Sequence, residues 1–297
     1  LAYYAEVPSV IWNVQRTGPS TGLPTRTMQG DILSAFQLSH GDTKHVVLLP
    51  STPKDCFEFA QVALDLAERL QTLVIVLSDL DLGMNLRVSD SFTYPTKPFD
   101  RGKVLTAAEL EARPDFGRYK DVDGDGIPYR ANPGTAHERA GYFTRGSGHD
   151  SQGAYSESNK IYKANMIRLQ KKFDTARTLV PKPDVHLDPQ AKIGLIYFGS
   201  TSECISEAQH LLKQKSYKTS TLQLKALPFT SDVEEFLKQH DHVYVIEQNR
   251  DAQLMAILKM EKPNFCFKLQ SVLQFDGLPL TANEVSQQIL EREAQWT

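Results

Sequence analysis

Apolar residues fall along this chain in two rhythms. Short β-branched and aliphatic runs, "PSVIWNVQ" at 8–15, "HVVLLP" at 45–50 and "TLVIVLSD" at 72–79, are bounded by proline, glycine or polar turns and predict buried strands. Between the second and third, "TPKDCFEFAQVALDLAERLQ" repeats apolar residues at helical spacing. Ser51 or Thr52 can cap that helix, and Pro53 suits its first turn. "ILSAF" at 32–36 predicts a shorter helix after the first strand. Strand, helix, strand with continuously apolar strands predicts a parallel sheet covered on both faces.

From about 87 to 160 the rhythm is lost among prolines, glycines and charges, and so long an irregular stretch points to function or to packing against a partner. "KIYKANMIRLQKKFDTARTLV" at 160–180 restores it as a basic amphipathic helix, stopped by "PKPD". Strand-like runs then alternate with helical ones: "AKIGLIYFGS", "STLQLKAL", "DHVYVIEQN" and "FKLQSVLQF" against "TSECISEAQHLLKQK", "TSDVEEFLKQH" and "RDAQLMAILKM". Thr201 or Ser202 suits the cap of the first of these helices, with acids early and lysines late along its dipole. The whole reads as an α/β protein whose second part, 186–297, is an open parallel sheet. It follows a first part, 1–90, and an irregular segment with a linker helix, 91–185. The opening "LAYYAEVPSV" starts inside an apolar pattern, and Leu1, Ala2, Tyr4 and Ala5 suit the last turns of a helix begun upstream. A segment of a longer polypeptide is expected, with a processed terminus as the alternative.

Composition narrows the class. With 297 residues there is room for about two domains, and 40% hydrophobic residues suffice for their cores. A net charge of −3 argues against a nucleic-acid binder. No apolar run approaches the roughly 18 residues of a membrane span, and no signal peptide opens the chain, so a cytoplasmic protein is expected. Cys56, Cys204 and Cys266 lie far apart without a C-x-x-C pair, encoding neither a disulfide framework nor a thiolate cluster site.

Chemistry concentrates in "VQRTGPSTGLPT" at 14–25. Arg16 offers paired donors that match a carboxylate, and Ser20, Thr21 or Thr25, with amides of the glycine-rich turn, would complete an anion pocket. The segment is no P-loop, lacking both the spacing and the lysine. Composition alone leaves open a structural strand-to-helix turn. "DVDGDG" at 121–126 begins like a calcium loop through Asp121, Asp123 and Asp125. Asn132 stands where the bidentate glutamate is needed, however, and Pro128 interrupts the loop, so an Asx-rich turn is the simpler reading. "SHGD" (Ser39 to Asp42) and "GSGHD" (Gly146 to Asp150) set a histidine beside an acid. They suit acid–base work or a plain turn with a satisfied imidazole. "HDH" (His240 to His242) reads as surface rather than metal. "GLIYFGSTSE" lacks the third glycine of a dinucleotide fingerprint. Glu247, Gln248 and Asn249 end a strand where α/β sheets place crevices or interfaces, or they are a plain strand terminus.

Taken in order, "IWNVQRTGPSTGLPTRTMQGD", "SHGDTKHVVLLP", "DLAERLQTLVIVLSDLDLGMN", "DVDGDGIPYR" and "VIEQNRDAQL" resemble the α subunit of 2-oxoacid:ferredoxin oxidoreductases, nearest the 2-oxoglutarate type, over nearly the whole chain. The resemblance implies a thiamine diphosphate enzyme that decarboxylates a 2-oxoacid, passes electrons through [4Fe–4S] clusters to ferredoxin, and hands the acyl group to coenzyme A. It implies that residues 1–90 are the C-terminal half of the domain that grips the cofactor's aminopyrimidine, and that 186–297 are transketolase C-terminal-like. It places Arg16 and Thr25 on the substrate carboxylate, with Gly18, Pro19, Ser20, Thr21 and Gly22 shaping the loop. It assigns the diphosphate, its Mg²⁺ and the cluster cysteines to a β subunit, so a hetero-oligomer is expected.

Departures from the family matter equally. The Y-P-I-T-P-S-S motif and the glutamate that activates the aminopyrimidine are absent, as is the γ-like domain often fused upstream; Glu6, close behind Tyr3 and Tyr4, has no spacing that makes it that glutamate. Asn13 stands where relatives usually carry aspartate. The rival reading is a non-catalytic assembly module, calcium-responsive through the Asp121–Gly126 loop. The sequence leaves open which 2-oxoacid is used, the direction of the reaction, the origin of the truncation and the stoichiometry of the oligomer.

Overall fold

The computed structural model describes residues 1–295 and resolves the apolar runs into two sheets. In the first, β1 (Ser9–Gln15), β3 (Leu73–Asp79) and β2 (Val46–Leu48) run parallel, and β7 (Ala226–Leu227) adds an antiparallel edge to β2. In the second, β6 (Thr219–Leu224), β5 (Ile193–Phe198), β8 (His242–Glu247) and β9 (Leu269–Leu273) are parallel, with β4 (Asp184–His186) antiparallel at one edge. "STLQLKAL" is therefore divided between two sheets rather than forming one strand. The chain crosses at Lys225, whose ammonium bonds Asp55 Oδ2 at 3.0 Å and Asp184 Oδ2 at 3.2 Å.

Alternation along the strands decides the layers. Ile193, Leu195 and Tyr197 of β5 face α6 (Ser202–Gln214) and α9 (Ala282–Glu293), whereas Ile196 and Phe198 face the other way. There they join Val47, Ile75 and Leu77 of the first sheet in a core that also takes in α1 (Ile32–Phe36), α7 (Ser231–Gln239) and α8 (Gln253–Glu261). The outer face of the first sheet is covered by α2 (Pro53–Leu70), through Phe59, Ala63, Leu66 and Leu70. Thr52 caps α2 by accepting from the Asp55 amide at 3.0 Å, with Pro53 in its first turn, as its sequence predicts. α3 (Leu80–Met84) precedes the irregular segment, which holds α4 (Ala107–Glu111), begun by a Thr106–Glu109 capping box, and ends in α5 (Asn159–Ala176). Among the described residues no helix is long and apolar enough to cross a membrane.

Three expectations are corrected. β1 is not buried: it is an edge strand paired only with β3, and Ile11, Trp12 and Val14 are exposed. Neither Thr201 nor Ser202 caps α6 with its side chain, because the Thr201 hydroxyl donates to Gln29 Oε1 at 3.1 Å instead. His240 is not at the surface; it is buried on the Phe236 ring, with Nδ1 2.8 Å from the Phe236 carbonyl. The structure also adds α9 to the elements expected, and its Thr281–Glu284 capping box is a legible start signal.

Candidate functional site

The Arg16 segment leaves the C-terminal end of β1 and closes into a loop. The Thr17 amide donates to the Arg26 carbonyl at 2.9 Å, the Leu23 amide to the Thr17 carbonyl at 3.1 Å, and the Thr17 hydroxyl to the Thr27 carbonyl at 2.9 Å. These bonds tie a neck whose two arms carry Arg16 and Thr25. Both residues are exposed, as are Pro19, Ser20, Thr21 and Gly22, with Gly18 half-buried. Arg16 has no hydrogen-bond or ion-pair partner among the described residues. Gly22 adopts φ +48°, and a Cβ there would lie 2.2 Å from the Thr17 carbonyl oxygen, so the loop closes only around glycine. The structure thus presents a free guanidinium and hydroxyls on a loop with a rigid base.

That base is held by the other sheet. Gln29 is fully buried, and each of its four hydrogen-bonding groups is engaged from the C-terminal half. Its amide donates to the Gln248 carbonyl at 2.7 Å, and its carbonyl accepts from Asn249 Nδ2 at 3.0 Å. Its Nε2 donates to the Phe198 carbonyl at 3.0 Å, and its Oε1 accepts from the Gln248 amide and Thr201 Oγ1, each at 3.1 Å. Gln248 Nε2 in turn donates to Ser200 Oγ at 3.1 Å, and that hydroxyl donates to Asp79 Oδ2 at 2.7 Å. Gly199, at φ +58°, admits the Gln29 amide where a Cβ would come within 2.9 Å of Nε2. Glu247 is buried beneath, where burial raises its carboxyl pKa. It accepts from the Leu254 and Met255 amides at the start of α8 and from Asn249 Nδ2. "VIEQN" is therefore an interface to the Arg16 loop rather than an open crevice. On the β1 side, Gln15 Nε2 donates to the Ser78 carbonyl and Asn13 Nδ2 to Asp31 Oδ2 at 3.0 Å, where an aspartate at 13 would meet like charge.

The remaining motifs separate from this site. In the Asp121–Gly126 loop, Asp121 accepts from the Gly124 and Gly126 amides as an Asx turn does, and the Lys103 ammonium lies 2.7 Å from Asp123 Oδ2 and 2.8 Å from Asp125 Oδ1. A lysine already supplies the positive charge that a calcium ion would bring. "SHGD" and "GSGHD" form turns, and residues of both, with Leu1, Tyr3, Tyr4 and Tyr162, line a cleft of about 390 Å³ that no residue of the Arg16 loop reaches. His149 is buried, its Nδ1 2.9 Å from the Ser147 carbonyl, while the Asp150 carboxylate accepts from the Gln152 and Ala154 amides rather than from the imidazole.

Glu6 is accounted for differently from any catalytic acid. It is buried at φ 56°, and its carboxylate accepts from Arg168 Nη1 at 3.0 Å, Arg168 Nη2 at 2.5 Å and Lys172 Nζ at 2.8 Å; Arg118 Nη2 donates to its carbonyl at 2.8 Å. Burial alone would raise the carboxyl, but Lys172 and Arg168 outweigh it and hold the pKa at about 2. Arg168 and Lys172 of α5 are therefore a buried clamp on the first residues of the chain, while Lys160, Lys163 and Lys171 stay exposed, so the helix is more than the linker its sequence predicts.

Thiamine diphosphate finds only part of a site here. The buried carboxylates of Glu6, Asp79 and Glu247 are each committed to protein partners, which leaves none of them for an aminopyrimidine. No group of three or more His, Cys, Asp or Glu among the described residues is placed to hold a metal ion. The loop itself presents the unpaired Arg16 guanidinium and exposed hydroxyls.

The profile of a family described as "Pyruvate flavodoxin/ferredoxin oxidoreductase, thiamine diP-bdg" matches residues 1–93. Subunit alpha of 2-oxoacid:ferredoxin oxidoreductase 2 from Aeropyrum pernix is 34% identical, over 96% of this chain and 44% of its own. The 2-oxoglutarate synthase subunit KorA of Archaeoglobus fulgidus is 30% identical, over 94% of this chain and 70% of its own. The solved 2-oxoglutarate:ferredoxin oxidoreductase from Magnetococcus marinus, with 2-oxoglutarate, coenzyme A and succinyl-CoA bound, superposes with a TM-score of 0.84 at 28% identity, over 98% of this chain and 49% of that one. The chain thus spans about half the length of several of the relatives it matches. It belongs to the family of 2-oxoacid:ferredoxin oxidoreductase α subunits.

Proposed function

We propose that this chain is the part of an α subunit that grips the carboxylate of a 2-oxoacid, with 2-oxoglutarate the favoured substrate, in an enzyme forming an acyl-CoA while reducing ferredoxin. The observation that carries the reading is Arg16: an exposed, unpartnered guanidinium at the C-terminal end of a parallel strand, on a loop whose base is fixed by buried hydrogen bonds. A guanidinium presented there pairs bidentately with a carboxylate, Thr25 adds a hydroxyl from the facing arm, and the pair holds the keto carbon at one place and angle. Thiamine diphosphate, when bound, supplies the nucleophilic carbon and electron sink of the reaction. Mg²⁺, the [4Fe–4S] clusters and the diphosphate contacts are assigned to a β subunit, with which the chain forms a cytoplasmic hetero-oligomer. Gly18, Pro19, Ser20, Thr21 and Gly22 shape the loop. The chain divides into 1–90, 91–185 and 186–297, the last transketolase C-terminal-like; the match of residues 1–93 to the thiamine-binding profile supports the first of these bounds.

The test is turnover by the full-length α subunit with its β partner, following reduction of ferredoxin or a viologen with 2-oxoglutarate, pyruvate and branched 2-oxoacids, each with coenzyme A. Selective use of 2-oxoglutarate is expected. No turnover with any acid, from a complex shown to hold cofactor and clusters, would overturn the reading.

A further inference from the structure

Gln29 closes the same run of sequence as Arg16 and is fully buried, where five hydrogen bonds join it to residues around the second sheet. From the sequence, Phe198, Thr201, Gln248 and Asn249 have no evident relation to residue 29. They lie 169 to 220 positions away and converge on it from the C-terminal ends of β5 and β8. Two residues upstream, Thr27 is tied to both halves: its amide donates to the Gly277 carbonyl at 3.2 Å, beyond β9, and its hydroxyl accepts from the Asp81 amide of α3 at 3.2 Å. The arm that carries Gln29 is thus fixed to the second half chiefly through Gln29, while the other arm continues from β1 of the first sheet.

We infer that Gln29 is a positioning residue, through which the C-terminal half sets the orientation of the Arg16 loop and hence the affinity for the 2-oxoacid carboxylate without touching it. This inference rests on the proposed role of Arg16. Its physical ground is that a carboxylate–guanidinium contact is steep in angle and distance. A buried residue with all four polar groups satisfied has one allowed placement, because any other leaves donors or acceptors unpaired. The second half would then contribute to substrate binding through rigidity alone, with Gln248 and Ser200 carrying the constraint onward to Asp79 at the end of β3.

Gln29→Met keeps the length of the side chain and removes its hydrogen bonds. In the full-length enzyme with its β subunit, this variant is expected to raise KM for the 2-oxoacid about tenfold or more, with a much smaller change in kcat and an unchanged KM for coenzyme A. Tyr244→Phe, which removes a buried 2.6 Å bond to Glu293 in the same half, serves as the control; it is expected to lower the melting temperature and leave every KM alone. Combined with Arg16→Ala, Gln29→Met should add nothing further to KM, because it acts through the residue already removed. Thr201→Val removes one of the bonds to Gln29 Oε1 and should raise the same KM by less, giving the measurement a route if Gln29→Met does not assemble. Unchanged KM in both Gln29→Met and Thr201→Val while Arg16→Ala raises it would overturn the inference and spare the carboxylate reading. No effect of Arg16→Ala would overturn both.

Discussion

Replacing Glu6 by glutamine should destabilise the protein more than most single substitutions. The carboxylate sits among Arg118, Arg168 and Lys172, all buried, and it takes three hydrogen bonds directly from the last two. Lowering a carboxyl from 4.5 to about 2 corresponds to about 3 kcal/mol of folding free energy, at roughly 1.4 kcal/mol per pH unit. A neutral amide in its place would also leave the cations short of a partner, and breaking a buried pair in that way costs about 3–5 kcal/mol. The sign with pH follows from the direction of the shift. A carboxyl lowered in the folded state contributes fully above its unfolded pKa of about 4.5, and the contribution fades as pH falls toward 2. Urea titrations of wild type and Glu6→Gln at pH 7 should therefore differ by about 3 kcal/mol or more, with the gap narrowing below pH 4.5. Burial, with Arg168 and Arg118 alongside, lowers Lys172 to about 8 despite Glu6, so removing that one cation should cost less than removing the shared anion. A Glu6→Gln penalty below about 1 kcal/mol, or a gap that does not narrow in acid, would refute the clamp.

Three further outcomes are expected. Gly22→Ala forces a Cβ to within 2.2 Å of the Thr17 carbonyl at a positive φ, so it should destabilise by more than about 1 kcal/mol and raise KM for the 2-oxoacid; a neutral variant in melting and kinetics would show that the neck is not rigid. Adding calcium should leave the melting temperature of the wild type unchanged, because Lys103 occupies the charge position between Asp123 and Asp125; saturable stabilisation would revive the calcium-responsive module. Asn13→Asp should lower stability slightly by opposing Asp31, most clearly at low salt, and a melting curve insensitive to salt would contradict that contact.

How far the sequence could be read depended on how local each signal was. Caps, turns and apolar periods are written within a few residues, and they placed β2, β3, α2 and the alternating elements of the second half. The exposure of β1 is not local. Ile11, Trp12 and Val14 look the same in an edge strand as in a central one, and only the pairing partners decide. β6 and β7 look like one strand because nothing local to Lys225 reveals that the chain changes sheets there. The segment carrying Arg16 and Thr25 stood out because guanidinium, hydroxyls and glycines crowd into it, whereas their proposed pairing with a carboxylate came from the family resemblance. Gln29 did not stand out, because its partners lie up to 220 residues away and an isolated glutamine after a turn carries no pattern. In α5 the linker reading missed the burial of Arg168 and Lys172, because nothing local to the helix reveals that Glu6, more than 160 residues upstream, is placed against them.

Comparing wild type with Arg16→Ala in the complete α–β enzyme, by kcat/KM for the 2-oxoacid, tests the central claim most directly. The exposed guanidinium as carboxylate ligand predicts a loss of about 2–5 kcal/mol in transition-state binding, or roughly thirty-fold to several thousand-fold, with coenzyme A kinetics unaffected. An Arg16→Ala enzyme with undiminished kcat/KM would contradict it and leave the loop as a structural turn.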